Sequence, residues 1–213
     1  MTAPVSRPPT QSPYAYTPPT GDGWKMVRWG RIVLTLLLIP LSLKAFGDEY
    51  GGVPLVGSVN LAIHEFGHYL FLPFGEMMTI LGGSLFQVLF PLAFVGYFLY
   101  GKQEHRDRHA AMVCLWWTSI SMLGVAIYAA DARAGQLMLL SGATGEDDPD
   151  HHDWRNLFSM WGVLNRDTIY AGRMRGIAAL MCFASIAIGL WMAWNSGQQR
   201  ITDPEPKTAD WRP

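Results

Sequence analysis

The chain has 213 residues, of which 50% are hydrophobic and only 15% are charged, whereas charged residues make up about 25% of a typical soluble domain. Its formal net charge of −1 shows no basic excess, so we expect no nucleic-acid partner. Tryptophan occurs 9 times, which is typical of proteins whose rings anchor at a membrane interface. The composition therefore predicts an integral membrane protein in contact with the lipid bilayer.

Both ends of the chain are polar. The first stretch, MTAPVSRPPTQSPYAYTPPTGDG, is rich in Pro, Ser and Thr and has no hydrophobic period, so residues 1–24 are predicted to form a disordered tail. No apolar core follows a short charged start there, which argues against a signal peptide. A second polar tail is predicted over residues 195–213.

Five apolar segments lie between the tails, each close to the roughly 20 residues that a helix needs to cross the hydrocarbon core. They cover approximately residues 27–46, 53–73, 77–100, 109–130 and 177–194. The second segment is the least apolar, so a partly inserted helix is an alternative there. We therefore predict an all-α fold, a polytopic transmembrane bundle of about five spans over residues 25–194.

Basic residues around the first span predict the orientation of the bundle. They are Arg7, Lys25, Arg28 and Arg31, against the acidic residue Asp22. By the positive-inside rule they place the N-terminus in the cytoplasm, and five spans then place the C-terminal tail outside. The basic loop 101–109, GKQEHRDRH, opposes this arrangement, because with five spans it would face outward.

A polar loop is predicted over residues 131–171, between the fourth and fifth spans. It contains the acidic run GEDDPDHHD, after which hydrophobic residues recur at helical spacing: Trp154, Leu157, Phe158, Trp161 and Leu164. This stripe predicts a short amphipathic helix, which either lies on the membrane surface or packs on the bundle.

Residues 61–71, LAIHEFGHYLF, carry the clearest chemical signal in the chain. Ionisable side chains in a membrane helix cost roughly a few kcal/mol each and by default indicate function. HEFGH fits the pattern H-E-x-x-H, in which His64 and His68 share one helix face and can bind one zinc ion. Glu65, between them, can act as the general base. The alternative is a polar patch that is satisfied by hydrogen bonds between helices.

A catalytic zinc commonly has three protein ligands and one open position, so a third ligand is expected from elsewhere in the chain. The first choice is Asp131, at the end of the fourth span, because the second and fourth helices are predicted to run in the same direction. The alternatives are His152, His151 and Asp153 in the following loop, which are the right ligand types and lie on the same predicted side.

Three polar or small residues are candidates for substrate contact or for support of the metal ligands. Asn60 lies one turn before His64, where it could orient the imidazole or a substrate backbone. In the segment LGGSLFQ, Gly83 allows close backbone approach and Gln87 offers an amide. Small residues of this kind also serve helix packing in membranes, and both roles stay open.

The HEFGH helix, the apolar segment GGSLFQVLFPLA and a later span with an acidic residue together resemble the site-2 protease family of intramembrane zinc metalloproteases. The resemblance covers roughly residues 53–135 and implies a three-helix core in which two histidines and an aspartate hold Zn²⁺. The motif of this family matches HEFGH, so the resemblance implies that His64 and His68 bind zinc and that Glu65 activates a water molecule. The fourth span lacks the family's Leu-Asp-Gly pattern, so Asp131 corresponds by position alone.

The function that follows is an intramembrane endopeptidase, acting on a membrane protein or peptide substrate within or beside the membrane. The HDW sequence and the LF..WG stripe resemble a small bacterial branch of such proteins, which implies the bacterial inner membrane. Two alternatives remain: a membrane metal transporter or sensor, and a catalytically inactive scaffold with a peptidase-like core. Replacing Glu65 distinguishes a peptidase from a metal carrier, because only the peptidase needs a general base.

Overall fold

The computed structural model describes residues 23–48, 52–102 and 105–195. In chain order the helices are α1 (Gly23–Gly47), α2 (Val56–Phe71), α3 (Glu76–Tyr100), α4 (Arg108–Ala130), α5 (Asp153–Met160) and α6 (Asp167–Asn195). Within these residues the β-structure is confined to one isolated bridge between Met138 and Thr144, so the predicted all-α fold is confirmed. Residues 1–22 and 196–213 of the predicted tails lie outside the described ranges.

Four of the five predicted spans coincide with helices that are long and apolar enough to cross a membrane: α1, α3, α4 and α6 with its preceding turn. Helix α6 begins at Asp167, well before residue 177, where the fifth span was predicted to start. The second predicted span corresponds to α2, which has 16 residues and is therefore about 24 Å long. This is shorter than the hydrocarbon core of about 30 Å, so the described residues contain four candidate spans.

Helices α1 and α4 start at the same end of the bundle and run in the same direction. A guanidinium nitrogen of Arg31 lies 2.7 Å from Oδ2 of Asp107, the residue that caps α4. Further along both helices, Trp116 Nε1 donates to Ser42 Oγ at 2.8 Å. Because the residue numbers rise together along the contact, the two helices are parallel.

Helices α3 and α6 return in the opposite direction. Gly189, near the end of α6, approaches Thr35 and Met112, whereas Asp167 at its start pairs with Arg133 just after α4. We call the end where α1 and α4 begin and α3 and α6 finish the N-terminal end. The opposite end, where α3 and α6 begin and α4 finishes, is called the site end.

The structure corrects the predicted topology. Five spans would put the start of α1 and the loop 101–109 at opposite ends, but the ion pair between Arg31 and Asp107 brings them to the same end. The last residue of α6 also lies at the N-terminal end, and not opposite to it. The physical reason is that α2 continues in the direction of α1 and does not return across the bundle.

Helix α2 begins beside the middle of α4 and continues toward the site end. Val53 and Val56, at its start, belong to the hydrophobic cluster around Trp116 and Ile120 of α4. Because α1 points in the same direction, α1 and α2 together carry the chain from the N-terminal end to the site end. The HEFGH motif therefore lies near the site end, opposite the first residues of α1.

The stripe predicted for an amphipathic helix forms α5, which packs on the bundle. Trp154, Leu157 and Phe158 are buried in a hydrophobic cluster that includes Val125 and Ala129 of α4. Of the two alternatives for this helix, the structure therefore shows packing on the bundle. This packing fixes the start of α5, and with it Asp153, against the ends of α2 and α4.

Candidate metal centre

The HEFGH helix lies against α3 at a glycine contact. A Cβ atom on Gly67 would overlap the backbone carbonyl of Gly82, and a Cβ on Gly82 would lie 2.8 Å from the carbonyl oxygen of Gly67. Only glycine at both positions allows the two backbones to touch. Part of the GGS segment thus serves helix packing, and the close approach brings α3 within reach of both histidines.

Each imidazole is oriented by an acceptor on α3. Nδ1 of His64 donates to Gln87 Oε1 at 3.2 Å, and Gln87 is itself oriented because its Nε2 donates to the Ser121 carbonyl oxygen. Nδ1 of His68 donates to the carbonyl oxygen of Thr79 at 2.8 Å. Partners of this kind at Nδ1 are typical of metal-binding histidines, because they fix the ring and leave Nε2 for the metal.

Both Nε2 atoms face one carboxylate oxygen, Oδ2 of Asp153. The distances are 2.9 Å from His64 and 3.3 Å from His68. Two ligand atoms bound about 2.1 Å from one tetrahedral zinc ion are about 3.4 Å apart. The three side chains therefore fit a metal site of two histidines and one carboxylate, with modest movement on binding.

Asp153 reaches this position because it is the first residue of α5. Its backbone N–H donates to the hydroxyl of Tyr128 on α4 at 3.0 Å, which ties the start of α5 to the site. Burial acts to raise the pKa of the Asp153 carboxyl, but hydrogen bonds from Nε2 of His64 and His68 outweigh it and hold the pKa below its usual range. The carboxylate is therefore charged at neutral pH, as a metal ligand must be. A metal ion bound to both Nε2 atoms would take the place of the protons in these hydrogen bonds.

Asp131, the first choice for the third ligand, lies away from the two histidines and binds the backbone of the loop after α4. Its two carboxylate oxygens accept from the backbone N–H groups of Gln136 and Leu137, each at 2.9 Å, just beyond the end of α4. His152 Nε2 lies 3.4 Å from the same carboxylate. Asp131 thus organises the loop after α4, while Asp153, one of the alternatives, is the acid beside both histidines.

His152 caps α5 and lies fully inside the protein. It is 0% exposed, its ring stacks on Tyr128 with centroids 4.5 Å apart, and its Nδ1 accepts from the backbone N–H of Arg155. Burial is the main cause that lowers the pKa of its imidazole, which favours the neutral ring. Neutral His152 can then donate from Nε2 to Asp131. His151, its neighbour, is exposed and pairs with Asp148.

The remaining candidates lie around the two histidines. Asn60 is buried, and its Oδ1 accepts from Trp117 Nε1 at 2.8 Å and from Ser121 Oγ at 3.2 Å, so it holds α2 against α4 one turn before His64. Gln87 holds the ring of His64, as described above. Gly83 lies directly against the imidazoles and has no side chain to displace them.

Glu65 points into the same region as the metal ligands. His64, Glu65 and His68 have ligand atoms within 4.8 Å of one another. All three line a cavity of about 880 Å³ at the site end, together with Tyr128 and Asp153. Glu65 is therefore close enough to the two histidines either to bind a metal ion with them or to act as a base beside it.

Sequence reasoning did not identify Thr79 and Tyr128 as residues that support the site. Thr79 acts through its backbone carbonyl, which no residue type reveals. Tyr128 lies in the segment AIYAADARA, and its polar hydroxyl in an apolar span is a signal that could have drawn attention to it. Its contact with the start of α5 depends on the tertiary fold.

Comparison with protein-family models, curated proteins and solved structures finds no match to this chain. The interpretation of the site therefore depends on its own residues and geometry.

The variant Gly83→Ala should weaken zinc binding by about 10–100-fold, as loss of support around a metal site does. A Cβ atom at this position would lie 2.6 Å from His68 Nε2 and 2.7 Å from His64 Nε2, so the imidazoles must move. Competition with a zinc-selective fluorescent chelator measures the affinity. Gly96→Ala, on the same helix with open space around the new methyl group, is the matched control. Equal zinc affinity in both variants would contradict the placement of the site.

Proposed function

We propose that the protein is a membrane-embedded zinc metallopeptidase of the site-2 type, in which His64, His68 and Asp153 hold the zinc ion. The observation that carries the proposal is the convergence of two Nε2 atoms on one Asp153 oxygen, 2.9 and 3.3 Å away, with Glu65 in the same cavity. The test is hydrolysis of a labelled membrane-protein substrate by detergent-purified protein of measured zinc content, with and without a chelator.

The residues then have separate roles in the hydrolysis of a peptide bond. Zinc in such a site polarises the scissile carbonyl and lowers the pKa of water to about 7. Glu65 accepts a proton from the water molecule whose oxygen attacks the carbonyl carbon. As the C–N bond breaks, Glu65 delivers that proton to the leaving nitrogen, which departs as an amine. Gln87 and the Thr79 carbonyl keep the two imidazoles in place throughout.

The arrangement favours a peptidase over a metal carrier. Among residues 23–48, 52–102 and 105–195, one cluster of histidine and carboxylate side chains has metal-binding spacing, and it lies at one end of the bundle. A transport path needs successive polar sites across the membrane. The general base Glu65 is present in the cavity, which favours an active enzyme over an inactive scaffold.

The protein is proposed to lie in the bacterial inner membrane with its N-terminal end in the cytoplasm. That end carries a basic cluster, namely Lys25, Arg28, Arg31, Lys102, Arg106 and Arg108. The loop at the site end has fewer basic residues, Arg133, Arg155 and Arg166, and it carries the acidic residues Glu146, Asp147, Asp148 and Asp150. Basic loops face the cytoplasm and its anionic lipids, so the metal site faces the outside of the cell. This reverses the side that five spans would have assigned to the HEFGH motif.

Cysteine labelling tests this orientation. In protein with Cys114→Ala and Cys182→Ala, we expect Ser141→Cys at the site end to react with a membrane-impermeant maleimide in intact spheroplasts. Lys102→Cys, at the N-terminal end, should react only after the membrane is permeabilised. Both positions are exposed, so accessibility within the protein does not differ between them. The reverse pattern would place the metal site in the cytoplasm.

A further inference from the structure

Two cavities meet at the candidate site. The first is the cavity of about 880 Å³ described above, and the second has a volume of about 300 Å³. Both are lined by His64, Glu65 and Tyr128, so one bound chain could pass from one cavity to the other beside the general base. We call the larger cavity the polar arm and the smaller one the apolar arm.

The apolar arm lies between α2 and α4 within the bundle. Its walls are mainly apolar or lack a side chain, as at Val53, Leu61, Ile120 and Gly124, and Asn60 and Gln87 add polar groups on the side of the histidines. It extends from the middle of α4, beside Ile120, to Glu65 near the site end. Leu61, which lines the arm, is 47% exposed, so the arm reaches the surface of the bundle beside α2. An apolar segment can therefore enter it from the membrane.

The polar arm continues beyond Glu65 at the site end. Besides the metal ligands it is lined by Glu76, Asp150, Asn156 and Ser159, and no lysine or arginine of the described residues contributes to it. The carboxylates of Glu65, Glu76, Asp150 and Asp153 outnumber the two positive charges that a zinc ion would bring, so the arm stays negative and favours cationic side chains in a bound chain.

A hairpin forms a wall that the two arms share. Its two sides are joined by backbone hydrogen bonds, such as Leu139 N–H to Ala143 O at 2.8 Å, and it follows directly after the Asp131 turn. Leu139 and Leu140 line both arms. Met138 and Leu140 are 77% and 69% exposed, so the hairpin presents apolar side chains where a membrane-bound peptide would arrive.

We propose that the two arms hold the two sides of one scissile bond: an apolar segment from the end of a transmembrane span in the apolar arm, and a cationic segment beside the membrane in the polar arm. This inference rests on the proposed peptidase function and adds its specificity. The peptide bond beside Glu65 is then the junction between the two segments. Glu76 and Asp150 attract the cationic segment of the substrate in the polar arm. The apolar segment fits the other arm, whose wall includes Gly57.

The test measures binding separately from hydrolysis by using protein with Glu65→Gln in lipid nanodiscs. The probes are fluorescent peptides with an apolar half of Leu and Ala and a polar half that contains either lysines or glutamates, synthesised in both chain directions. The fluorescence anisotropy of each peptide measures its binding, and empty nanodiscs give the background from binding to lipid. We expect one chain direction of the lysine peptide to bind about tenfold more tightly than the matching glutamate peptide.

Variants then assign each preference to its arm. Gly57→Leu, in open space on the wall of the apolar arm, should weaken binding of both peptides at least about tenfold, while Gly96→Leu, in open space on α3, should not. Glu76→Gln combined with Asp150→Asn should bring the ratio of lysine to glutamate affinity close to one.

The outcomes separate this inference from the proposed function. Parent protein that binds zinc but shows no preference between the peptides would overturn the two-arm inference and leave the metal centre intact. Unchanged binding in Gly57→Leu would remove the apolar arm as the binding site. Absence of zinc from the parent protein would instead overturn the proposed function itself.

Discussion

Asp153→Asn should reduce the zinc content of the purified protein from about one ion per chain to below about 0.1. Oδ2 of this carboxylate lies 2.9 and 3.3 Å from the two Nε2 atoms, so it supplies the negative charge of the proposed ligand set. Without it, His64 and His68 remain as two neutral ligands. The amide keeps the size of the side chain, so α5 keeps its position. Elemental mass spectrometry after gel filtration measures the stoichiometry.

The matched control is Asp131→Asn. This carboxylate supports the loop through the backbone N–H groups of Gln136 and Leu137, and the amide retains one acceptor oxygen. We therefore expect its zinc content to stay near that of the parent protein. Zinc lost in Asp131→Asn and kept in Asp153→Asn would restore the ligand that the sequence favours.

Glu65→Gln should lower the rate of peptide hydrolysis by about 10²–10⁴-fold, the usual contribution of a general base, while zinc content stays near one ion per chain. The glutamine preserves the shape of the side chain but cannot accept the proton from water. Initial rates on a labelled membrane-protein substrate, together with elemental analysis of the same sample, give both quantities.

Glu146→Gln is the control for general loss of a carboxylate, because Glu146 is exposed on the loop and does not line the cavity of the metal centre. Full activity in Glu65→Gln would mean that another group takes the proton, and would remove the HEFGH motif from the chemistry. Loss of zinc and activity together would instead assign Glu65 to metal binding.

Several features could be predicted because they depend on local periodicity. The boundaries of α3 and α4 differ from the predicted spans by one residue at their starts and agree at their ends, since apolar composition defines membrane helices directly. His64 and His68 are four residues apart, which places them on one helix face in any fold that keeps this segment helical. Their rings lie in contact in the structure, with centroids 4.8 Å apart.

The third ligand could not be derived in this way. Asp131 and Asp153 are both carboxylates beyond the fourth span, and the sequence alone does not show which of them is already used by the backbone. The turn after α4 takes both oxygens of Asp131, whereas the packing of Trp154 and Phe158 turns Asp153 toward the histidines. The choice therefore depends on how α5 packs.

By itself, the sequence determined that this protein is helical and rich in membrane-length apolar segments, and that it carries two histidines and a glutamate with the spacing of a zinc site. The tertiary structure decided that α2 starts beside the middle of α4, that the HEFGH motif lies opposite the N-terminal end, and that Asp153 is the carboxylate facing both histidines. The reason is physical: helix formation and burial in lipid follow from neighbouring residues, whereas helix direction and ligand convergence depend on contacts between residues far apart in the chain, such as the 89 positions between His64 and Asp153.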